Sequence, residues 1–131
     1  MAGTLSSRVR TVETVILIAI GGFAGSNLRF FLGQFGSSLH STLAVNTLGS
    51  FLLGVVIYEA LRTDTLSTET RLLVSTGFLS SFTTYSTFAL QSVQSGPMWL
   101  LANVLVTYGL GFLGVLVGRT VPIRFAARWG E

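Results

Sequence analysis

The chain of 131 residues is half hydrophobic and only one-tenth charged, against about a quarter charged in an ordinary soluble domain, which all but excludes a water-soluble fold. Its eight basic residues are all arginine, five acids leave a net charge of +3, and cysteine is absent, so disulfides, thiolate nucleophiles and cysteine metal sites are excluded. At ~20 apolar residues per crossing, residues 1–131 have room for a single integral membrane domain of about four helices.

Charges bracket the spans. None falls between Glu13 and Arg29, between Arg29 and Glu59, or between Arg71 and Arg119. The last gap holds 47 residues. As one helix it would reach ~70 Å, more than twice a ~30 Å hydrocarbon core, so it must turn back. Ser95-Gly96-Pro97 is the place, since glycine permits the turn and proline opens the next helix. The spans are therefore placed at about 12–35, 43–61, 70–94 and 98–119. The first apolar run, behind Arg8 and Arg10, also has the form of a secretory signal. Three further spans and the lack of a clear small-residue cleavage site argue against it.

Four spans put both termini on one side. Arg8, Arg10, Arg62, Arg71, Arg119, Arg124 and Arg128 fall on that side and Arg29 alone on the other, which places the termini in the cytoplasm of a cell-membrane protein. Small residues recur four apart at Gly21-Gly25, Gly22-Ser26, Ser50-Gly54 and Gly114-Gly118. Such faces let helices approach closely where lipid supplies no hydrophobic drive. Four thin helices cannot easily enclose a solvated path and bury their polar residues as well, so an oligomer is expected.

The third span carries Ser80, Ser81, Thr83, Thr84, Tyr85, Ser86 and Thr87 where lipid-facing positions should be aliphatic. A lone hydroxyl in a membrane helix bonds back to its own turn. A run of them competes for backbone groups and predicts a broken helix, tolerated at membrane depth only where protein or water covers it. Freed carbonyls suit a dehydrated hard cation such as Na⁺; freed amides suit an anion. Tyr85 and Phe88, three apart, share a face and either pack together or turn positive ring edges to an anion path. In the second span Asn46 serves as interhelical glue or as a ligand contact. Asn103 and Thr107 form a polar stripe on the fourth span, continued by Gly111, with Tyr108 beside it. No acid lies near the centre of any span, and His40 is in the first loop. Proton-coupled carriers need a titratable group in the membrane, so passive conduction is favoured over pumping. With no phosphate loop, metal cluster or triad, an enzyme is not expected.

Three motifs in order, Gly21-Gly22-x-x-Gly25-x-x-x-Arg29-Phe30, Thr42-Leu-x-Val45-Asn46-x-x-Gly49, and Gly77-Phe78-Leu79 followed by Thr83-Thr84-Tyr85-Ser86-Thr87-Phe88, resemble the small fluoride channels called Fluc or CrcB. The resemblance implies an all-α membrane protein of four transmembrane helices, broken in the third, that pairs with an antiparallel copy as a dual-topology dimer with two fluoride pathways. It implies a structural, non-transported Na⁺ at the dimer centre, held by the backbone carbonyls of Ser80 and Thr83. It also implies Tyr85 and Phe88 as facing aromatics, Asn46 as the pore amide, Arg29 toward a vestibule, Thr84 and Ser86 as nearby hydroxyls, and Asn103 and Thr107 as a polar track. The family usually has Gly-Gly at Ser80-Ser81 and phenylalanine at Tyr85. Seven arginines against one are unbalanced for a chain inserting both ways. Either a homodimer forms despite the bias, or the chain pairs with an oppositely oriented sister subunit.

The function expected from the resemblance is passive, fluoride-selective conduction that lowers cytoplasmic fluoride. Fluoride is small and tightly hydrated, and Asn46, the hydroxyls and aromatic edges can replace its water. A small proton-coupled multidrug exporter lacks its embedded acid here, and a non-conducting scaffold subunit has no use for the amide and the hydroxyl run.

Overall fold

The computed structural model describes residues 2–36 and 38–129, and every element among them is helical. Helix α1 (Ala2–Leu32) begins ten residues before the expected span, and Gly33–Gly36 turns the chain after it. In that turn Gly33 N–H donates to Arg29 at 3.0 Å and Gln34 N–H to Phe31 at 3.1 Å. Helix α2 (Ser38–Arg62) takes in the polar stretch around His40, which the span reading left as loop.

The third passage is built in pieces. Ser67 caps α3 (Thr68–Arg71), its hydroxyl accepting from Thr70 N–H at 3.2 Å. A π-helix (Leu72–Leu79) follows, then α4 (Ser80–Phe82), an extended pair at Thr83–Thr84, and α5 (Tyr85–Gln94). Gly96, at φ 80°, reverses the chain, and Pro97 opens α6 (Pro97–Gly118). The Ser95-Gly96-Pro97 turn thus stands where the sequence puts it. Helix α7 (Thr120–Trp129) extends past the expected end of the fourth span, and the span reading did not foresee it.

Three helical stretches are long and apolar enough to cross a membrane, Ser6–Leu32, Leu39–Arg62 and Pro97–Arg128. The third passage is divided too finely to join them. Its direction follows from its packing on α1: Gly21 meets Leu73 and Gly77, and Gly25 meets Phe78 and Phe82, so the two run parallel. A Cβ at Gly25 would fall on the Phe78 carbonyl, which is why this face must be bare. Gly111 meets Ser50, and Gly118 meets Phe51 and Val55, so α2 and α6 are likewise parallel. Up-down-up-down order results, with the interruption of the third passage facing α1 and α2.

Candidate functional site

Thr83 (φ −75°, ψ 160°) and Thr84 (φ −146°, ψ 123°) are extended, a conformation β-branched residues adopt readily. Ser80 (φ −65°, ψ −30°) is helical and needs no glycine freedom. Leaving the helix frees backbone groups that must find partners, and side chains of two other helices supply them. Thr84 N–H donates to Asn46 Oδ1 at 2.8 Å, and Asn46 Nδ2 donates to the Thr84 carbonyl at 3.0 Å. Arg29 Nη1 donates to the Thr83 carbonyl at 3.2 Å. Thr84 also caps α5, its hydroxyl accepting from Thr87 N–H at 3.3 Å and donating to Thr87 Oγ1 at 3.0 Å.

One groove of about 500 Å³ runs along this interruption between α2, α4, α5 and α6. It brings together Asn46, Ser80, Thr83, Thr84, Tyr85, Phe88 and Thr107, seven of the ten residues the sequence singles out as ion contacts. Tyr85 and Phe88 have ring centroids 5.9 Å apart at 50°, and Tyr108 meets Phe88 edge-on at 6.0 Å and 82°. Phe88 is 7% exposed and Tyr85 is 73% exposed, so the aromatic wall has one seated ring and one open ring. Tyr108, beside the polar stripe by spacing alone, completes this wall.

A smaller cavity of about 210 Å³ lies on the other side of Thr84, lined by Arg29, Ser41, Thr42, Thr84, Thr87 and Gln91 among others. Thr84 is the residue common to both. Gln91 has its Oε1 buried without a hydrogen-bond partner. Sequence reasoning missed Gln91, although it follows Thr87 by four residues on one face of α5, and Thr87 follows the cap Thr84 by three.

Two expected residues go elsewhere. Asn103 Nδ2 donates to Ser92 Oγ at 2.8 Å, and Ser92, 4% exposed, donates back to the Phe88 carbonyl at 2.8 Å. Asn103 therefore clamps α5 to α6, with only a long contact of 3.4 Å from Thr107 linking it to the groove. Ser86 is exposed, and its hydroxyl reaches Thr84 Oγ1 only at 3.5 Å.

Glu59, which the charge pattern puts at a span end, is buried in the last turn of α2. Its Oε1 accepts from Thr65 N–H at 2.6 Å, Thr65 Oγ1 at 2.8 Å and Leu66 N–H at 2.7 Å. Its Oε2 faces Arg71 Nε at 3.3 Å, and Arg71 Nη2 meets Asp64 at 2.5 Å. Both carboxylate oxygens are thus engaged in closing the loop between α2 and α3.

Residues 16–119 match the family described as CrcB-like protein, Camphor Resistance (CrcB). The chain belongs to the CrcB family. Among curated CrcB relatives, a "Fluoride-specific ion channel FluC 1" of Haloarcula marismortui is 59% identical over 116 residues, 88% of this chain and 91% of the relative. A "Fluoride-specific ion channel FluC 2" of Halobacterium salinarum is 50% identical over 83% of this chain and 86% of its own length. Another of the same name from Methanosarcina barkeri is 38% identical over 95% and 98%. With its apolar helices, this CrcB chain is a multi-pass membrane protein.

Proposed function

We propose that this protein is a fluoride-selective channel, not an enzyme, that passively lets fluoride leave the cell and so lowers its cytoplasmic concentration. The observation that carries the reading is the interrupted third passage, lined by neutral donors, in a chain whose relatives bear the name of fluoride channels. Fluoride gives up water only to close hydrogen-bond donors. Asn46 spends one N–H and its oxygen on Thr84 and keeps a second N–H at the groove wall. The hydroxyls of Thr84, Ser86 and Thr107 and the edges of Tyr85 and Phe88 add to it. Arg29 raises the local anion concentration at the mouth nearest the smaller cavity. Asn103 supports this wall from behind.

The working unit in this reading is a dual-topology dimer in the cell membrane. The groove is open along Tyr85, and an antiparallel copy would cover it. A homodimer is the simpler form. The seven arginines at one end favour cytoplasmic termini and keep a sister subunit of opposite orientation in play. A structural Na⁺ fits the donor type: Ser80 and Thr83 both line the groove, and Thr84 N–H, turned to Asn46, no longer continues the helical ladder to the Ser80 carbonyl. Two carbonyls are too few for a hard cation's oxygen shell, so a second chain must contribute as many. Bound there, Na⁺ would pin the two interruptions together and offset the carbonyl dipoles; it is not transported.

Liposomes holding the purified protein should release fluoride far faster than chloride, each read with its own ion-selective electrode. Equal rates for the two halides would overturn the proposal.

A further inference from the structure

The two cavities beside the interruption lie in series along the helices. On α2 the smaller one is lined by Ser41, Thr42 and Val45, and the groove by residues from Asn46 to Leu53. On the third passage, which runs antiparallel to α2, the order reverses: the groove reaches back to Ser75 and the smaller cavity forward to Gln91. From Ser41 to Leu53 α2 rises about 18 Å at 1.5 Å per residue, more than half of the ~30 Å hydrocarbon core. Among the described residues Thr84 alone lines both cavities, so its side chain is the partition between them.

This partition is fixed in place. Thr84 is 8% exposed, and each of its polar groups is engaged. Its N–H and carbonyl pair with the Asn46 amide, and its hydroxyl accepts from Thr87 N–H and donates to Thr87 Oγ1. A β-branched side chain has few rotamers to begin with. Thr83 is held as firmly. Its hydroxyl donates to the Leu79 carbonyl at 2.9 Å, and its methyl fills the notch at Gly49, where a Cβ would fall on it. A cationic or amide donor stands on each side of the wall, Arg29 lining the smaller cavity and Asn46 the groove.

We propose that Thr84 is a size-determining residue of the conduction path. An anion drawn into the smaller cavity by Arg29 passes the Thr84 side chain to reach the Asn46 amide, and the volume of that side chain admits fluoride and holds back the larger chloride. A constriction whose walls do not move selects by diameter as well as by the donors that line it. The inference rests on the channel reading above and adds to it the residue at which the two halides are told apart.

The test compares Thr84→Ser and Thr84→Val in liposomes, with fluoride and chloride release each read by its own electrode. Serine keeps the hydroxyl and the capping bond and removes only the γ-methyl. Valine keeps the branched volume and removes the hydroxyl. Thr84→Ser should raise chloride release and lower the fluoride-to-chloride ratio at least about tenfold. Thr84→Val should slow both halides and lower the unfolding midpoint, because α5 loses its cap, yet keep the ratio within about threefold of the parent's. The chain has no cysteine, so Thr84→Cys supplies a single thiol and a measurement that does not depend on the valine variant folding. A small methanethiosulfonate reagent should label that thiol, as read by mass spectrometry, and stop fluoride release. With the parent conducting fluoride, an unchanged ratio in Thr84→Ser, a ratio lost in Thr84→Val but kept in Thr84→Ser, a thiol that never reacts, or fluoride release that survives full labelling would each overturn this inference alone. A parent protein that releases no fluoride would overturn the channel reading and this inference with it.

Discussion

The side-chain amide of Asn46 replaces the helix that Thr84 has left: it accepts from the Thr84 N–H at 2.8 Å and donates to the Thr84 carbonyl at 3.0 Å. A backbone amide pair at membrane depth would otherwise be stranded, at a cost of several kcal/mol per group in hydrocarbon. Asn46 is therefore interhelical glue, and in the proposed channel it is a pore-wall donor as well, two roles the sequence left as alternatives. Asn46→Ala removes both bonds and should destabilise the protein by about 2–4 kcal/mol, read as a lower unfolding midpoint in detergent. Asn46→Asp keeps the acceptor, loses the donor and adds negative charge at the groove, so fluoride flux should fall at least about tenfold even where the folded fraction, checked by gel filtration, is retained.

Phe88 is the seated member of the aromatic wall, held between Tyr85 and Tyr108. Phe88→Ile keeps an apolar side chain but removes the ring edge, and it should slow fluoride flux roughly tenfold or more. Tyr85→Phe removes only a hydroxyl from an exposed ring and should change flux by less than about threefold. A larger loss in Tyr85→Phe than in Phe88→Ile would place the anion path at the hydroxyl rather than at the ring edges.

Much of this site is legible in the sequence because membrane depth makes polarity conspicuous. The hydroxyl run signals the interruption, and Asn46 stands out in an apolar helix. Spacing does not show where the chain leaves the helix. The run from Ser80 to Thr87 marks only a stretch, and within it the extended residues are Thr83 and Thr84, the β-branched pair that can be capped from α2 and reached by Arg29. Asn103 illustrates the opposite failure. Its i, i+4 relation to Thr107 suggests a shared track, yet its amide is drawn to Ser92 on the neighbouring helix. Periodicity assigns a face and cannot say which hydrogen-bond partner waits there. Helix α7 was missed because span counting stops at the first arginine past the hydrocarbon.

The Arg29 guanidinium shares the Thr83 carbonyl that the proposed Na⁺ would also use. Two like charges about 5 Å apart repel by roughly 3 kcal/mol at an effective dielectric of 20. Arg29→Gln should therefore tighten Na⁺ binding, seen as a lower Na⁺ concentration for half-maximal flux in protein prepared without Na⁺. The same change lowers the anion concentration at the mouth, so flux at saturating Na⁺ should fall. Flux indifferent to Na⁺ in both proteins would remove the cation from the scheme.

Among the described residues Glu59 is the one buried carboxylate, and both its oxygens are engaged by the loop behind it. A proton-coupled exporter would need this group to exchange protons. A loop clamp needs it only to stay charged. Glu59→Gln should lower the unfolding midpoint, because Arg71 loses its buried partner. Fluoride-over-chloride selectivity should be unchanged, and a proton gradient across the vesicle should drive no uphill transport in either protein. Gradient-driven accumulation that vanishes in Glu59→Gln would establish the exporter reading instead.

The link between Asn103 and Ser92 joins α5 to α6 immediately behind Phe88, whose carbonyl accepts from Ser92. If Asn103 acts through this clamp and not as an ion contact, its effect must depend on Ser92. A double-mutant cycle with Asn103→Ala and Ser92→Ala should then give a coupling energy of about 0.5–1.5 kcal/mol in stability. Either single change should lower fluoride flux to the same modest extent, since each loosens the same ring, and the double substitution should add little. Thr107→Ala, by contrast, alters a residue at the groove wall and should reduce flux in both the parent and the Ser92→Ala background by the same factor. Additive losses for Asn103 and Ser92 would return Asn103 to the ion path.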